Sequence, residues 1–331
     1  MKLAVVILNW NGQKLLEQFL PSVVAFSKES DIYIADNAST DNSIEFVRSK
    51  YPEINIVKNI ENGGYAKGYN DALKHIDADI FCLLNSDIEV TENWLTPIID
   101  IFHTEPNTTI IQPKILDYKN KSQFEYAGAA GGFIDKYGYP YCRGRILDTI
   151  ESDTGQYNDT AEIFWASGAC LFIRREVFND LEGFDASFFA HMEEIDLCWR
   201  AKNSGYTIKY VGASTVYHVG GATLTTLNPK KTYLNFRNSL YALTKNATGP
   251  IFSKILVRLL LDGIAGIKFV VEIKPKHTLA VLKAHLSFYG HLSKLLKQRK
   301  QLKNKVKYYE RTSIVMDYFV NRKRHFKNLG K

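Results

Sequence analysis

Four short apolar runs in the first ninety residues each stop at a polar cluster, and this alternation constrains the fold more than any other property of the chain. Leu3 to Leu8 gives way to Asn9-Trp10-Asn11-Gly12, and Ile32 to Ala35 to Asp36-Asn37-Ala38-Ser39-Thr40-Asp41. Ile54 to Val57 leads to Asn62-Gly63-Gly64-Tyr65, and Phe81 to Leu84 ends at Asn85-Ser86-Asp87. Between the runs lie segments with helical spacing: Leu15, Leu16, Phe19, Leu20, Val23 and Val24, then Ile44 to Val47, then Ala66 to Ile76. Runs this short read as buried strands of a parallel sheet. Strand alternating with helix in this way predicts an open, mostly parallel α/β sheet with helices on both faces.

An open sheet of this kind binds ligands beyond the C-terminal ends of its strands. Asn9, Asp36 and Asp87 all fall on that edge. For a single Asp after a strand, a polar turn is the commoner explanation, so the chemistry must be argued from the group. A dinucleotide-binding sheet needs a G-x-G-x-x-G turn after its first strand, and Asn9 to Lys14 holds one glycine. A Walker loop is also missing. Without a glycine cradle for phosphates, a divalent cation held by carboxylates is the natural means of binding a diphosphate, because it supplies the charge that the backbone does not.

Further along, Trp94 to Phe102 reads as a helix, Thr109 to Ile115 as a strand, and Tyr126 to Gly144 as a glycine- and tyrosine-rich loop or hairpin. Phe164 to Ile173 reads as a strand interrupted by small residues, which admit either a ligand or a packed helix. In Phe188-Phe189-Ala190-His191-Met192-Glu193-Glu194-Ile195-Asp196-Leu197-Cys198-Trp199-Arg200, three acids open a helix, where the dipole favours negative charge. Helix stabilisation accounts for Asp196, which is spaced to pair with Arg200. It does not account for adjacent Glu193 and Glu194 behind an aromatic wall, where neighbouring carboxylates raise each other's pKa as a general base requires. A strand-like run, Thr207 to Val211, leads to Val216-Tyr217-His218-Val219-Gly220-Gly221. A lone histidine is usually structural. Tyr233, Arg237 and Asn238 lie on a helical segment, where Arg237 has the chemistry to hold a diphosphate oxygen and an exposed ion pair is the blander choice.

The formal charge of +7 is unevenly placed. Residues 251–331 hold 19 Lys and Arg against 4 Asp and Glu, a net of +15, which leaves −8 on residues 1–250. Charge alone does not choose among nucleic acid, anionic lipid and solvent as the partner of such a segment. In a helix from Lys254 to Ile273, the charges of Lys254, Arg258, Asp262, Lys268 and Glu272 fall within one arc of roughly 120°, and the rest of the surface is apolar. Five charges along the stretch argue against a transmembrane span, so the apolar face must bury itself in protein or in a membrane interface. The first apolar run is too short for a signal peptide, and four well-separated cysteines without metal-ligand spacing point to reduced thiols, hence to a cytoplasmic protein.

The ordered motifs N-x-N-G (Asn9 to Gly12), D-N-A-S-x-D (Asp36 to Asp41), N-x-G-x-A-x-G-x-N (Asn62 to Asn70) and N-S-D (Asn85 to Asp87) resemble the nucleotide-binding half of family 2 glycosyltransferases of the GT-A fold. The resemblance continues at Glu193, Glu194, Asp196, Leu197 and Arg200, which match that family's E-D-x-D-L-x-x-R motif, and covers roughly residues 3 to 240, with rhamnosyltransferase-like enzymes of surface polysaccharide synthesis the nearest in character. It implies a GT-A domain over residues 1–245, with a nucleotide-binding half to residue 90 and an acceptor half beyond, and a helical basic extension over 246–331. It implies catalysis by Glu194 with Glu193 beside it, donor contacts from Asn9, Asp36, Asn62, Asn70, Asn85, Asp87 and Arg237, and a Mg²⁺ or Mn²⁺ ion on Asp87 and His218. The expected partners are a UDP, dTDP or GDP sugar, a glycan or lipid-linked acceptor, and an anionic membrane met peripherally from the cytoplasmic side, with no nucleic acid. Two positions depart from the pattern: Asn85 is an amide where the metal-binding D-x-D-type motif begins with a carboxylate, and Glu194 is one methylene longer than the usual Asp. The rival readings are a nucleotidyltransferase, which needs a basic glycine-rich loop that this chain lacks, and a nucleotide-sugar or glycan binder without activity.

Overall fold

The computed structural model describes residues 1–220, 228–302 and 304–330. The expected alternation is present: β1 (Leu3–Asn9), α1 (Gln13–Phe26), β2 (Asp31–Asp36), α2 (Ser43–Lys50), β3 (Asn55–Lys58), α3 (Gly64–Leu73) and β4 (Ile80–Asn85). β1 lies between β2 and β4 and is parallel to both, and β3 continues the parallel set beside β2. Successive residues of each strand serve opposite faces. Ala4 and Val6 of β1, with Phe81 and Leu83 of β4, enter one core with Tyr69 and Trp199. Val5 and Ile7, with Cys82 and Leu84, enter the other with Leu16, Val47 and Trp94.

The second half follows as β5 (Ile88–Val90), α4 (Thr96–Thr104), β6 (Thr108–Asp117), β7 (Gly132–Ile134), β8 (Pro140–Cys142), β9 (Arg145–Ile146), β10 (Thr149–Ile150), β11 (Thr160–Glu162), β12 (Cys170–Arg174), α5 (Arg175–Asp180), α6 (Glu193–Asn203) and β13 (Thr207–His218). The main sheet has the order β11-β13-β6-β12-β4-β1-β2-β3, with β5 on β13. It is mixed rather than all parallel, since β12 runs antiparallel to both β4 and β6. The glycine- and tyrosine-rich stretch contributes β7 and β8 to a separate four-stranded antiparallel sheet. Trp94 precedes α4 instead of opening it, because its indole is buried and donates to Ser27 Oγ at 3.2 Å. The strand expected over residues 164–173 is confined to Cys170–Arg174. Upstream of it, the Gln112 side chain takes the Ser167 amide at 2.8 Å, and Phe164 and Trp165 bond to the Gly132 carbonyl. All four cysteines are free and buried.

After α7 (Pro229–Asn246), the basic segment forms α8 (Ile251–Val271), α9 (Pro275–Gln301) and α10 (Ile314–Phe319). The orientation of α8 is the unexpected feature: Lys254, Arg258 and Asp262 of its charged arc face inward, while Lys268 and Glu272 at its C-terminal end are exposed. Arg258 and Asp262 are 3% and 0% exposed. The Arg258 guanidinium donates to Asp262 at 2.8 Å, to Ser239 Oγ at 2.6 Å and to the Tyr137 carbonyl at 3.1 Å, and it stacks on the Tyr139 ring. Asp262 also accepts from the Tyr139 hydroxyl at 2.7 Å. Lys254 reaches Tyr308 Oη at 2.9 Å.

A buried pair satisfied this fully is costly to break from one side only. Replacing Asp262→Ala should lower the free energy of urea unfolding by about 3–5 kcal/mol, whereas the matched apolar pair Arg258→Met with Asp262→Leu should recover most of it. A single-substitution loss below about 1 kcal/mol would contradict the inward arrangement of this helix.

Candidate active site

Three groups of side chains stand along the C-terminal edge of the parallel strands. The first is set by register: Asn9 ends β1 directly opposite Asp36 at the end of β2. Asn9 is fully buried, and its amide donates to Ser43 Oγ at 2.9 Å and Ser39 Oγ at 3.1 Å. Its Oδ1 has no partner, and a Cβ at Gly12 would lie 2.5 Å from it, so any larger residue there would displace the Asn9 side chain. Asp36 is 4% exposed and accepts from the Ser39 amide at 3.3 Å. Asn62 accepts from Asn37 at 2.9 Å and from the Gly64 amide at 3.0 Å, which shapes the turn into α3.

The second group forms where β4 and β13 end. His218 closes β13 opposite Ile88, and the Val219 amide donates to the Asp87 carbonyl. His218 Nε2 lies 3.2 Å from Asp87 Oδ1, and the Asn85 side-chain amide is 3.4 Å from the same nitrogen. The other face of the ring meets a residue that sequence reasoning missed: Glu125 Oε1, 3.4 Å from Nδ1. Glu125 lies just before the glycine-rich stretch, and only the return of the chain along β6, with the Glu125 amide on the Ile115 carbonyl, brings it to the histidine. Burial pushes the His218 imidazole down, but the Glu125 and Asp87 carboxylates outweigh it and raise the ring to about 10. Burial pushes Asp87 up, and the hydrogen bond and charge of His218 more than offset it, so Asp87 stays below the usual carboxylate range. With Nδ1–H facing Glu125, the ring would offer Nε2, beside the Asp87 carboxylate, to Mn²⁺ or Mg²⁺ in exchange for the proton that Nε2 carries in the ion pair. Among the described residues no three His, Cys, Asp or Glu side chains form a complete cage, so an ion on Asp87 and His218 would take its remaining ligands from a diphosphate and water.

The third group opens α6. Phe189, His191 and Met192 all have positive φ, at 64°, 69° and 72°, a conformation that non-glycine residues hold only when the surroundings enforce it. Here the enforcing groups are on α7. The Asn238 amide donates to the carbonyls of Phe188, Ala190 and His191 at 2.7 to 2.9 Å, and Arg237 to those of Ser187 and Phe188 at 3.1 Å. Arg237 is thus engaged with the loop. Asn70 has a similar position: its amide group makes paired bonds of 2.7 and 2.9 Å with the backbone of Phe184. The result is that Glu193 and Glu194 project from a rigid turn, each with a buried Oε2 that has no partner. Burial, then the charge of Glu194, raises Glu193 well above the usual range, and burial raises Glu194 to about 7. Asp196 differs because the cations of Lys245 and Arg200 counter its burial, and its pKa is lowered. Its expected bond with Arg200 is present at 2.9 Å.

The second and third groups meet through one backbone segment. The Asn85 amide donates to the Ala169 carbonyl at 2.9 Å, and a Cβ on neighbouring Gly168 would lie 3.8 Å from Glu194 Cβ. Tyr65 bonds the Gly168 carbonyl through its hydroxyl at 2.7 Å and the Phe189 carbonyl through its amide at 3.0 Å. The small residues before β12 therefore admit the approach of Glu194 and Tyr65. Gly221, the second residue of the Gly220-Gly221 pair, lies outside the described residues.

The raised pKa of Glu194 has a stability consequence. A carboxyl raised on folding favours the native state most below its unfolded value, near 4.5, and that contribution disappears as pH rises through about 7. Glu194→Gln should therefore raise the melting temperature relative to the parent protein at pH 8 and change it little at pH 5. An equal shift at the two pH values would show that the carboxyl is not held in this way.

Residues 4–182 match the family model described as Glycosyl transferase family 2. Rhamnosyltransferase WbbL of Escherichia coli K12 is 36% identical over 223 residues, which cover 65% of this chain and 82% of WbbL. An N-acetylglucosaminyl-diphospho-decaprenol L-rhamnosyltransferase of Mycobacterium tuberculosis is 26% identical over 233 residues, 65% of this chain and 75% of the relative. Among solved structures, GalNAc-T7 with UDP, GalNAc and Mn²⁺ superposes with a TM-score of 0.65 at 14% identity, covering 97% of this chain and 57% of that one. At that identity the likeness speaks for the fold. With the family model spanning more than half its length, the chain belongs to glycosyl transferase family 2 and is a glycosyltransferase of the GT-A fold.

Proposed function

We propose that the protein is an inverting, divalent-cation-dependent enzyme that moves a hexosyl or deoxyhexosyl group from a nucleoside-diphosphate donor to a glycan or lipid-linked acceptor in surface polysaccharide synthesis. The observation that carries this reading is the pair of unpartnered carboxylate oxygens on Glu193 and Glu194, joined through Gly168 and Ala169 to the Asp87–His218 corner. The names of the two rhamnosyltransferase relatives, one acting on a diphospho-decaprenol-linked sugar, support a deoxyhexose and a lipid-linked acceptor.

In this reading Asn9 and Asp36 receive the nucleoside, UDP, dTDP or GDP in type, at the ends of β1 and β2. Asp87 and His218 hold the cation, with Asn85 beside them and Glu125 behind the imidazole. The cation, when bound, neutralises the diphosphate so that it can leave. Glu194 takes the proton of the acceptor hydroxyl as the oxygen attacks the anomeric carbon from the face opposite the departing diphosphate, which inverts its configuration. Glu193, whose carboxyl is raised by burial and then by the charge of Glu194, stands beside the base as its neighbouring carboxyl group. Asn62, Asn70 and Arg237 act through the loops they hold: Asn62 on the turn before α3, and Asn70 and Arg237 on the segment leading to Glu193.

Glu194→Gln should lower turnover by about 10²- to 10⁴-fold while nucleotide affinity is retained. In the parent protein, kcat/KM should rise about tenfold per pH unit below about 7 and level off above it, as a base of that pKa requires. Chelation with EDTA should abolish turnover, and Mn²⁺ should restore it. Nucleotide-sugar binding without turnover, across a panel of donors and acceptors, would favour a non-catalytic binder instead.

A further inference from the structure

The inward turn of Lys254, Arg258 and Asp262 on α8 leaves the opposite side of that helix apolar and open to solvent. Phe252, Leu256, Leu260, Ile264, Ile267 and Val271 recur every three or four residues, and each is between 61% and 77% exposed. Leu279, Leu282, Leu286 and Tyr289 form a second row on α9, each more than half exposed. The two helices form an antiparallel hairpin, since Thr278 bonds the Gly266 carbonyl at 3.0 Å and His285 lies 3.4 Å from Asp262. At about 100° per residue, each exposed row is centred roughly a fifth to a third of a turn past the side that meets the other helix. In an antiparallel pair those displacements carry both rows to one side of the hairpin. α10 borders the patch: Lys268 Nζ lies 5.5 Å above the Phe319 ring, and Phe319 and Val320 are also more than half exposed.

Two rows of large apolar side chains, each more than half exposed, are not typical of a free protein surface. Its margin identifies the occupant. Lys268, Lys274, Lys276, Lys283 and Lys294 are exposed along the hairpin, and Glu272, paired to Lys268 and Lys274, is the one acid on its exposed side among the described residues. A second copy placed symmetrically on this face would bring like charges together. A bilayer with anionic headgroups complements both the apolar rows and the lysines. No described helix is long and apolar enough to cross a membrane, which fits a surface that lies in the interface plane. The tip of the hairpin also stands near the proposed acceptor side. His277 Nδ1 is 2.8 Å from Thr232 Oγ1 in the first turn of α7, and Lys230 of the same turn lies 5.2 Å above the Phe189 ring, in the loop that leads to Glu193.

We infer that the outward side of the α8–α9 hairpin, extended by α10, is a docking surface for an anionic lipid bilayer. It rests on the proposed lipid-linked acceptor for its biological purpose, while lipid binding itself needs no catalysis. The apolar rows enter the headgroup boundary, the lysines pair with lipid phosphates, and the inward pair Arg258–Asp262 replaces the polar face that such a helix would otherwise turn to water.

The test uses the full-length protein and sedimentation with vesicles of phosphatidylcholine alone or mixed with phosphatidylglycerol. The parent protein should partition onto the mixed vesicles, more weakly at high salt. Replacing Leu256, Leu260 and Ile264 together by Gln should reduce partitioning about tenfold or more, with melting temperature and nucleotide affinity unchanged, because these side chains are exposed and distant in sequence from the site. Lys276→Ala with Lys283→Ala should reduce the preference for phosphatidylglycerol. Equal partitioning by the triple variant would overturn the proposal, as would a parent protein that ignores both vesicles and instead forms a dimer that the triple variant dissolves. Vesicle binding without sugar transfer to any acceptor would count against the catalytic reading and leave the docking surface standing.

Discussion

The parallel pairing of β1 with β2 on one side and β4 on the other is the constraint on which the site depends. Its register sets Asn9 against Asp36 and Leu8 against Asn85, so three polar strand ends reach the same edge without any loop having to reach for them. Burial on both faces enforces that register, because a slip of one residue would send Val5 and Ile7 into the space of Ala4 and Val6. The polar ends are therefore fixed by apolar packing several residues away. A ligand site built this way costs little ordering entropy on binding, since its side chains already stand on rigid strands.

The side proposed to be catalytic is held by a different means. Glu193 and Glu194 follow a turn with three residues at positive φ, and polar side chains hold that turn: Asn238 through three carbonyls, Arg237 through two, Asn70 through the backbone of Phe184. Lys245 ties α7 to the same region, reaching Asp185 at 2.6 Å and Asp196 at 3.0 Å. Deeper in the chain, α9 adds Gln298 on Asp185 and Arg299 on the carbonyl end of α7. The strained turn, α7 and the basic C-terminal helices thus form one continuous polar framework behind the acidic pair, and the apolar surface of the hairpin is on its outer side.

Much of this was legible from residue pattern. The strand ends, the acidic pair and the Asp196–Arg200 contact follow from periodicity and spacing, which are local. What was not legible depends on distant register. Glu125 acquires meaning only when β6 returns beside it, and Gln112 displaces a strand over residues 164–169 by offering a side chain in place of a backbone partner. The charged arc on α8 was visible, but its direction was not, because helical spacing defines two faces and tertiary partners such as Tyr139 and Ser239 decide which one turns inward. Asn62, Asn70 and Arg237 likewise carry polar groups suited to a ligand, yet here each spends its hydrogen bonds on neighbouring loop or side-chain partners.

The central claim is that one edge of the sheet holds a metal-bound nucleotide on Asp87 and His218 with Glu194 across from it. Anomalous diffraction from crystals grown with Mn²⁺ and a nucleoside diphosphate tests it most directly. The account predicts a manganese peak between the Asp87 carboxylate and His218 Nε2, the diphosphate completing the coordination, and the base lying toward Asp36. A peak remote from both side chains, or a nucleotide bound away from the ends of β1 and β4, would contradict it.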